Sequence, residues 1–328
     1  MSNDYNLDLL QSEELRAAVE QNIECDPAVV ALRRGVPHPQ IVATQVKYLQ
    51  RARRKLPSLY AARCIIPQRA FEQSSSEQCA AAKRIEGESL LDLTCGLGID
   101  AMSFARKFKR VVAIERDEVL ADVVRENMRR MGIGNVEVVT ASAEEYLEQA
   151  AAAGERFDWV YADPDRRGEK GEKLVRLEDC SPDMISLMPR LRSIAERVCI
   201  KASPMFDVEE ALRLFVGCSV EVVSLGDECK EVLIYIGEYG EQHITATALG
   251  IGSYAKSANI IPTSATPEFR GDEYRWLVQP DVALQKARVA IAALKPYAAI
   301  WSNNGFALSR EPLPCKLGCR SYEIVSIE

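Results

Sequence analysis

A glycine-containing motif near residue 95 has the residue types and spacing of a cofactor-binding turn. It runs from Asp92 to Asp100, reads DLTCGLGID, and follows a predicted strand at residues 89–93. Glycines let a backbone turn tightly and approach a ligand closely. Gly96 and Gly98 also fit a dinucleotide fingerprint. The glycines alone are therefore compatible with S-adenosylmethionine, with a dinucleotide or with a turn that binds no ligand.

The carboxylate of Asp92 favours S-adenosylmethionine over a dinucleotide. At the end of the first strand it would repel a pyrophosphate, whereas S-adenosylmethionine offers an ammonium group there. The expected cofactor-binding residues of this motif are Asp92, Thr94, Gly96, Gly98 and Asp100.

Residues that follow the next two strands complete the expected cofactor site. Glu115 ends the second strand, where a carboxylate can accept hydrogen bonds from both ribose hydroxyls. Ser142 and Ala143 follow the third strand and are expected near the adenine amine. Ser142 fits equally well as the N-cap of the next helix, so both roles stay open for it.

An Asp-Pro pair closes the fourth predicted strand, residues 157–163. The Asp163 carboxylate and the Pro164 carbonyl can each accept one hydrogen of an exocyclic amine, which points the nitrogen at a methyl donor. Methyl transfer from a sulfonium mainly needs alignment, so acid-base residues are not required. Asp-Pro also begins ordinary turns, but its place at the carboxyl edge of a strand favours chemistry. The expected catalytic residues are Asp163, Pro164 and Arg166.

A basic loop follows this pair and suits a phosphate-bearing substrate. Its five bases, beside two glutamates, are Arg166, Arg167, Lys170, Lys173 and Arg176. We expect Arg167 to bind substrate. Lys201, at the tip of the fifth strand, can line the same cleft, and we expect it to bind substrate together with Arg167. A solvated lysine is the commoner arrangement at such a position.

A parallel sheet is needed to position these residues, and the pattern from residue 89 onward predicts one. Short apolar runs alternate with longer amphipathic segments, as in a sheet flanked by helices. The predicted strands are 89–93, 110–115, 136–140, 157–163, 197–202, 219–225 and 230–237. The last two are separated by only residues 226–229, so they must be antiparallel. Such a terminal hairpin is typical of the seven-stranded, Rossmann-like α/β sheet of class I methyltransferases.

Segments on either side of this sheet form separate predicted domains. Residues 1–86 carry helical spacing of apolar residues broken by prolines, which predicts a helical N-terminal domain. Residues 87–265 hold the catalytic sheet and a connection rich in Thr, Ala, Gly and Ser. Residues 266–328 combine a strand at 274–278, a helix at 282–294 and short strands at 298–301, 305–308 and 322–327, which predicts a small α+β domain.

The formal net charge of −7 is unevenly spread over the 328 residues. Residues 1–30 carry seven acids and one base, whereas residues 31–55 carry seven bases and no acid. The basic cluster, with Tyr48 inside it, can contact a phosphate backbone. A helix face neutralised by the acidic segment before it explains the pattern equally well, so both interpretations stay open.

The remaining composition argues against several classes of protein. The ten cysteines are scattered, and the one close pair, Cys315 and Cys319, has no second pair, so we expect reduced thiols and no metal site. No apolar run approaches the roughly 20 residues that span a bilayer, and the polar start lacks a signal-peptide profile. We expect a cytoplasmic protein without membrane contact.

Several motifs occur in an order that resembles the bacterial class I methyltransferases with a THUMP-like tail. They are the segment 72–83 (EQSSSEQCAAAK), the glycine motif, Asp163-Pro164 with Arg166 and Arg167, and Lys201 with Ser203 and Pro204. Segment 279–288 resembles the ferredoxin-like domain of that family. The resemblance implies an S-adenosylmethionine-dependent enzyme acting on RNA, because ferredoxin-like and THUMP modules accompany RNA-modifying enzymes. More distantly, the motifs resemble guanine-N2 methyltransferases.

Two departures from the family pattern bear on the target. Amino-methylating relatives place a second proline and an aromatic after Asp-Pro, whereas this chain has Asp165 and Arg166. Stacking on a flipped base must therefore come from elsewhere. The sequence stops at Glu328, where the family continues, so the THUMP-like tail is expected to be missing from the sequence or from this member.

The leading interpretation is an S-adenosylmethionine-dependent methyltransferase that modifies a base amino group in tRNA or rRNA. A DNA amino-methyltransferase fits the Asp-Pro pair equally. A non-catalytic RNA-binding protein that keeps the fold is the alternative from another class. An NAD-linked dehydrogenase is disfavoured by Asp92 and by the terminal hairpin. The sequence does not indicate the oligomeric state.

Overall fold

The computed structural model describes residues 7–165, 175–237, 242–257 and 273–326. The chain divides into two compact units. The first comprises Met1–Tyr161 with Ser193–Ala195, and the second comprises Ala162–Arg192 with Glu196–Glu328. No helix in the described ranges is long and apolar enough to cross a membrane.

Short helices broken by prolines open the first unit, as the sequence predicts. They are α1 (Leu7–Gln11), α2 (Glu13–Gln21), α3 (Pro27–Leu32), α4 (Pro39–Lys55), α5 (Pro57–Ala61), α6 (Gln68–Gln73) and α7 (Glu77–Ala82). Pro27, Pro39 and Pro57 each begin a helix, where the missing amide hydrogen is not needed. The longest helix, α4, buries one apolar face and ends in a run of three bases.

A parallel sheet forms the rest of the first unit. Its strands, β1 (Gly87–Asp92), β2 (Phe108–Glu115), β3 (Val136–Thr140) and β4 (Phe157–Ala162), pair in the order β3-β2-β1-β4. The connecting helices are α8 (Ile99–Phe104), α9 (Glu118–Arg130) and α10 (Ala143–Ala152). Strands β1, β2 and β4 end in runs of buried residues, as expected when helices cover a parallel sheet.

A mixed sheet begins the second unit. Its strands, β5 (Ala195–Ala202), β6 (Ser219–Leu225), β7 (Glu228–Ile236), β8 (His243–Ala248) and β9 (Gly252–Ser257), lie in the order β5-β7-β6-β8-β9. Two helices, α11 (Met184–Ile194) and α12 (Val208–Leu214), precede β5 and β6. Strand β7 is antiparallel to both β5 and β6, which confirms the predicted hairpin.

The strands β8 and β9 correct the predicted count of seven strands. The sequence predicted a connection here, but β8 pairs in parallel with β6 and β9 pairs antiparallel with β8. Strand β8 (HITATA) has one large apolar side chain, Ile244, and β9 (GSYAKS) has one aromatic side chain, Tyr254, so neither carries the apolar run that marks the predicted strands. The pairing partner, rather than local propensity, makes these segments extended.

A four-stranded antiparallel sheet ends the second unit. Its strands are β10 (Trp276–Pro280), β11 (Ala299–Ile300), β12 (Ala307–Ser309) and β13 (Cys319–Glu323), in the order β11-β12-β10-β13, with α13 (Val282–Lys286), α14 (Ala290–Leu294) and a 3-10 turn, Cys315–Leu317. The predicted helix 282–294 is broken at Arg288, whose φ of 56° is left-handed. The strand predicted at 322–327 begins three residues later than the observed strand β13, which starts at Cys319. The ferredoxin-like identity and the division into domains at residues 86 and 265 stay predictions.

Candidate functional site

The glycine motif forms a tight turn from β1 into α8 in the first unit. Gly96 and Gly98 have φ values of 55° and 80°, a left-handed conformation that favours glycine. A Cβ at Gly98 would lie 2.9 Å from Val124 Cγ1 on α9, whereas a Cβ at Gly96 would meet nothing within 4 Å. Gly98 therefore permits close packing against α9, and Gly96 leaves open space above the turn.

We expect Gly98→Ala to destabilise the protein more than Gly96→Ala does. A left-handed alanine costs about 1–2 kcal/mol at either position, and the contact with Val124 adds about 1 kcal/mol at Gly98. Urea denaturation of the two variants, each compared with the wild type, measures the difference. Equal losses of unfolding free energy would show that packing against Val124 does not require a glycine.

Asp92 is fully buried at the end of β1. Its Oδ1 accepts a hydrogen bond from the Thr94 amide at 3.0 Å, which fixes the start of the turn. The structure thus places a carboxylate directly beneath the glycine turn, as the sequence predicts. Thr94 takes part through its backbone.

Glu115 ends β2 and is tied to the same turn. Its Oε2 accepts from the Gly96 amide at 2.9 Å, and its Oε1 accepts from the Asp117 amide at 2.9 Å. Burial raises the pKa of the Glu115 carboxyl, while these two amide hydrogen bonds act in the opposite direction. The structure therefore brings Asp92, the glycines and Glu115 together, as predicted.

Asp100 lies at the centre of a buried polar cluster in the first unit. Its Oδ1 is 2.7 Å from Lys83 Nζ, and the Lys83 side chain is fully buried. Its Oδ2 accepts from the Ser75 hydroxyl at 3.1 Å and from the Tyr161 hydroxyl at 3.0 Å. The carboxylate of Asp100 is thus held by three protein side chains, and its predicted contact with a cofactor stays a prediction.

The sequence argument missed the partners of Asp100. Lys83, Ser75 and Tyr161 come from the segment before β1 and from β4, far from Asp100 in sequence. The signal for Ser75 and Lys83 in the sequence is the segment 72–83, which resembles a family motif and contains both residues. We name Lys83, Ser75, Asp100 and Tyr161 the Lys83 cluster.

Ser142 is the N-cap of α10. Its Oγ accepts from the Glu145 amide at 3.2 Å, and the Glu145 carboxylate accepts from the Ser142 amide at 2.9 Å, which completes a capping box. The capping role left open by the sequence is therefore present. An adenine contact by Ser142 or by the buried Ala143 stays a prediction.

The second unit carries the Asp-Pro pair. The Asp163 carboxylate forms an ion pair with Lys201 at the end of β5, and the Lys201 side chain is only 6% exposed. The expected solvated lysine is therefore wrong for Lys201. An ammonium group can be buried when a carboxylate partner compensates for the lost contacts with water. The structure places Lys201 beside Asp163, and its predicted contact with substrate stays a prediction.

The chain after Asp163 is partly described. Pro164 is buried, and the backbones of Asp165 and Ser181 exchange hydrogen bonds at 2.8 and 3.0 Å. The predicted residues Arg166 and Arg167, with Lys170 and Lys173, lie outside the described residues. Arg176 is described, and its guanidinium contacts Glu178 at the surface.

Metal-ligating side chains do not converge within the part of the chain that the structure describes. There, no group of three or more His, Cys, Asp and Glu residues has the arrangement needed to hold an ion. Cys315 is exposed and Cys319 is buried, and all ten cysteines are free thiols.

Comparison with known proteins shows partial similarity to RNA methyltransferases. A family profile described as "Conserved hypothetical protein 95" matches residues 70–177. A tRNA/tmRNA (uracil-C(5))-methyltransferase of Neisseria meningitidis is 30% identical over 153 residues, which are 39% of this chain and 40% of that protein. A 23S rRNA (uracil(1939)-C(5))-methyltransferase RlmD of Xylella fastidiosa is 40% identical over 82 residues, 25% of this chain and 18% of that protein.

A solved structure resembles the chain over nearly its whole length. It belongs to a Porphyromonas gingivalis W83 protein with the provisional name of methyltransferase, and it matches with a TM-score of 0.78 and 24% identity. The match covers 95% of this chain and 81% of that one. The chain spans about two fifths of the Neisseria relative, so the relatives' activities do not transfer directly. The chain therefore has an α/β methyltransferase-like fold with a large mixed sheet, similar to the fold of the Porphyromonas protein.

Proposed function

We propose that the protein is an S-adenosylmethionine-dependent methyltransferase whose substrate is RNA. The observation that carries the proposal is the turn of the first unit, where the Gly96 amide donates to Glu115 beside the buried carboxylate of Asp92. The named relatives, which modify tRNA, tmRNA and 23S rRNA, support the same enzyme class. The cofactor and the methyltransferase activity predicted from the sequence agree with these names.

The residues of the turn fit the proposed cofactor. A buried carboxylate favours a cationic amino-acid group over a phosphate, so Asp92 would hold the ammonium end. Glu115 keeps lone pairs for ribose hydroxyls while it accepts from two amides. The open space above Gly96 leaves room for a ligand to approach the backbone. When bound, the cofactor supplies an electrophilic methyl group.

The ion pair of Asp163 and Lys201 in the second unit would hold the acceptor base. Lys201 compensates the Asp163 charge and holds the carboxylate in place. A carboxylate held in place can accept a hydrogen bond from the amine of the base and so align its nitrogen with the methyl group. The named relatives instead modify uracil C5, a carbon rather than the amino group predicted here. The acceptor atom is therefore either an exocyclic amine or uracil C5.

Thiol chemistry bears on this choice. Carbon methylation at C5 needs a nucleophile to activate the ring, and a cysteine serves only as its thiolate. Burial raises the pKa of Cys95 well above its ordinary value and that of Cys64 to about 12. Cys180, close to Asp163 in sequence, is buried and donates to the Arg176 carbonyl at 3.2 Å. None of these three thiols is therefore poised to act as the nucleophile that C5 methylation needs.

Methyl-labelled S-adenosylmethionine tests the proposal with hypomethylated RNA and DNA as acceptors. Nuclease digestion and mass spectrometry of the nucleosides then identify the modified atom. We expect label in RNA, on an N-methylated nucleoside if Asp163 holds an amine and on 5-methyluridine if the relatives' chemistry applies. Label only in DNA would establish a DNA methyltransferase. RNA binding without transfer to any acceptor would establish the non-catalytic alternative.

A further inference from the structure

One face of α4 carries a concentration of positive charge that the candidate site does not use. Lys47, Arg51 and Arg54 are exposed and spaced by four and three residues, which places them on one stripe of the helix. The buried residues of α4, including Val46, Leu49 and Ala52, occupy the opposite side. We name Lys47, Arg51, Arg54 and the adjoining Lys55 the basic face of α4.

The acidic N-terminal segment neutralises other bases, and within its described residues, 7–30, it forms no ion pair with Lys47, Arg51 or Arg54. Arg53 forms an ion pair with Glu24, and Arg63 forms one with Glu20 at 2.6 Å. On the basic face, the described acidic contact is Arg51 with Glu72 at 3.7 Å, and both side chains are about half exposed. Such an exposed pair is weak. Neutralisation by the acidic segment therefore applies to Arg53, whereas the basic face of α4 lies exposed on another side of the helix.

Aromatic rings support the cations of this face. The Arg51 guanidinium lies 5.2 Å from the Tyr48 ring centroid and 5.0 Å from that of Phe71. Lys55 Nζ lies 4.7 Å from the Phe71 ring and donates to the Phe71 carbonyl at 2.6 Å. Rings that hold cations in place reduce the entropy lost when an anionic partner binds. The face is thus partly organised before binding.

We propose that the basic face of α4 docks the phosphate backbone of the RNA substrate. Several cations on one helical stripe match a polymer with regularly spaced phosphates, and their charge contrasts with the net −7 of the chain. Phosphate contacts position a nucleic acid without reading its sequence, so this surface would increase affinity for many RNAs. The proposal rests on the proposed RNA substrate and adds the place where it is held.

The test compares two triple charge reversals in the full chain. The first is Lys47→Glu, Arg51→Glu and Arg54→Glu on the basic face. The control is Arg16→Glu, Arg106→Glu and Lys109→Glu, three exposed bases elsewhere in the first unit. Both change the net charge by the same amount. Binding to total bacterial tRNA is measured between roughly 50 and 200 mM salt, with S-adenosylhomocysteine affinity as the check on folding.

We expect the basic-face variant to bind tRNA at least about tenfold more weakly and to lose about two units of the slope of log K against log salt. Its KM for RNA should rise while kcat at saturation stays near the wild-type value. Equal effects of both triples would overturn the proposal, since only net charge would then matter. Displacement of tRNA by poly-aspartate at equal charge would also overturn it, in favour of an acidic protein partner. Failure of the wild type to methylate RNA would instead count against the proposed function.

Discussion

Lys83→Met is expected to lower the free energy of unfolding by about 3 kcal/mol or more. The substitution leaves the Asp100 carboxylate buried without its cationic partner, and breaking one side of a buried ion pair typically costs about 3–5 kcal/mol. The hydroxyls of Ser75 and Tyr161 still donate to Asp100, which keeps the expected loss near the lower end of this range. Urea denaturation followed by circular dichroism measures it.

Two comparisons isolate the buried charge as the cause. Lys109→Met breaks an exposed pair with Glu88 and should cost less than about 1 kcal/mol. The double variant with Lys83→Met and Asp100→Asn removes both charges and should recover part of the stability lost by Lys83→Met alone. If Lys83→Met and Lys109→Met cost the same, the Lys83 cluster does not stabilise the first unit.

Asp163→Asn and Lys201→Met are each expected to reduce methyl transfer by about 10²–10³-fold. Removing a fixed polar group that contacts the reacting atoms commonly has an effect of this size. Asp163 would contact the acceptor, whereas Lys201 acts through Asp163 as a positioning residue. Single-turnover transfer of labelled methyl groups to RNA measures the rate, and the affinity for S-adenosylhomocysteine should stay within about twofold of the wild type.

The role of Lys201 is separable from a general structural role. Lys201→Arg keeps the charge and should restore part of the rate, whereas Lys230→Met, which breaks a surface pair with Glu228 in the same unit, should leave it unchanged. A wild-type transfer rate in Lys201→Met would show that Lys201 does not position Asp163 for methyl transfer. A loss of cofactor affinity in parallel with the rate would indicate general damage instead.

Local patterns predicted the sheet strands well because each carries its own signal. The strands β3 and β6 match the predicted residues 136–140 and 219–225, since apolar runs there are bounded by turn residues. The short gap at 226–229 predicted an antiparallel hairpin for a steric reason that does not depend on the rest of the chain. Glu115 at the end of β2 was predicted in the same way, because the carboxyl ends of neighbouring parallel strands lie at the same edge of a sheet.

Features that depend on distant partners were not predictable from one sequence. The burial of Lys201 follows from Asp163, 38 residues away, and the position of Asp100 follows from Lys83 and Tyr161. Strands β8 and β9 are extended because β8 pairs with β6 and β9 pairs with β8, although each strand carries only one large apolar or aromatic side chain. These features arise from tertiary context, which overrides local propensity.

Isothermal titration with S-adenosylhomocysteine and with NAD tests the central claim, that the turn at Asp92 binds an adenosyl amino acid. The wild type should give saturable heat with S-adenosylhomocysteine and none with NAD. Asp92→Asn, which keeps the shape but removes the charge, should weaken binding at least about tenfold. Glu88→Gln, at the opposite end of β1, should bind like the wild type. Saturable binding of NAD alone, or wild-type affinity in Asp92→Asn, would contradict the account.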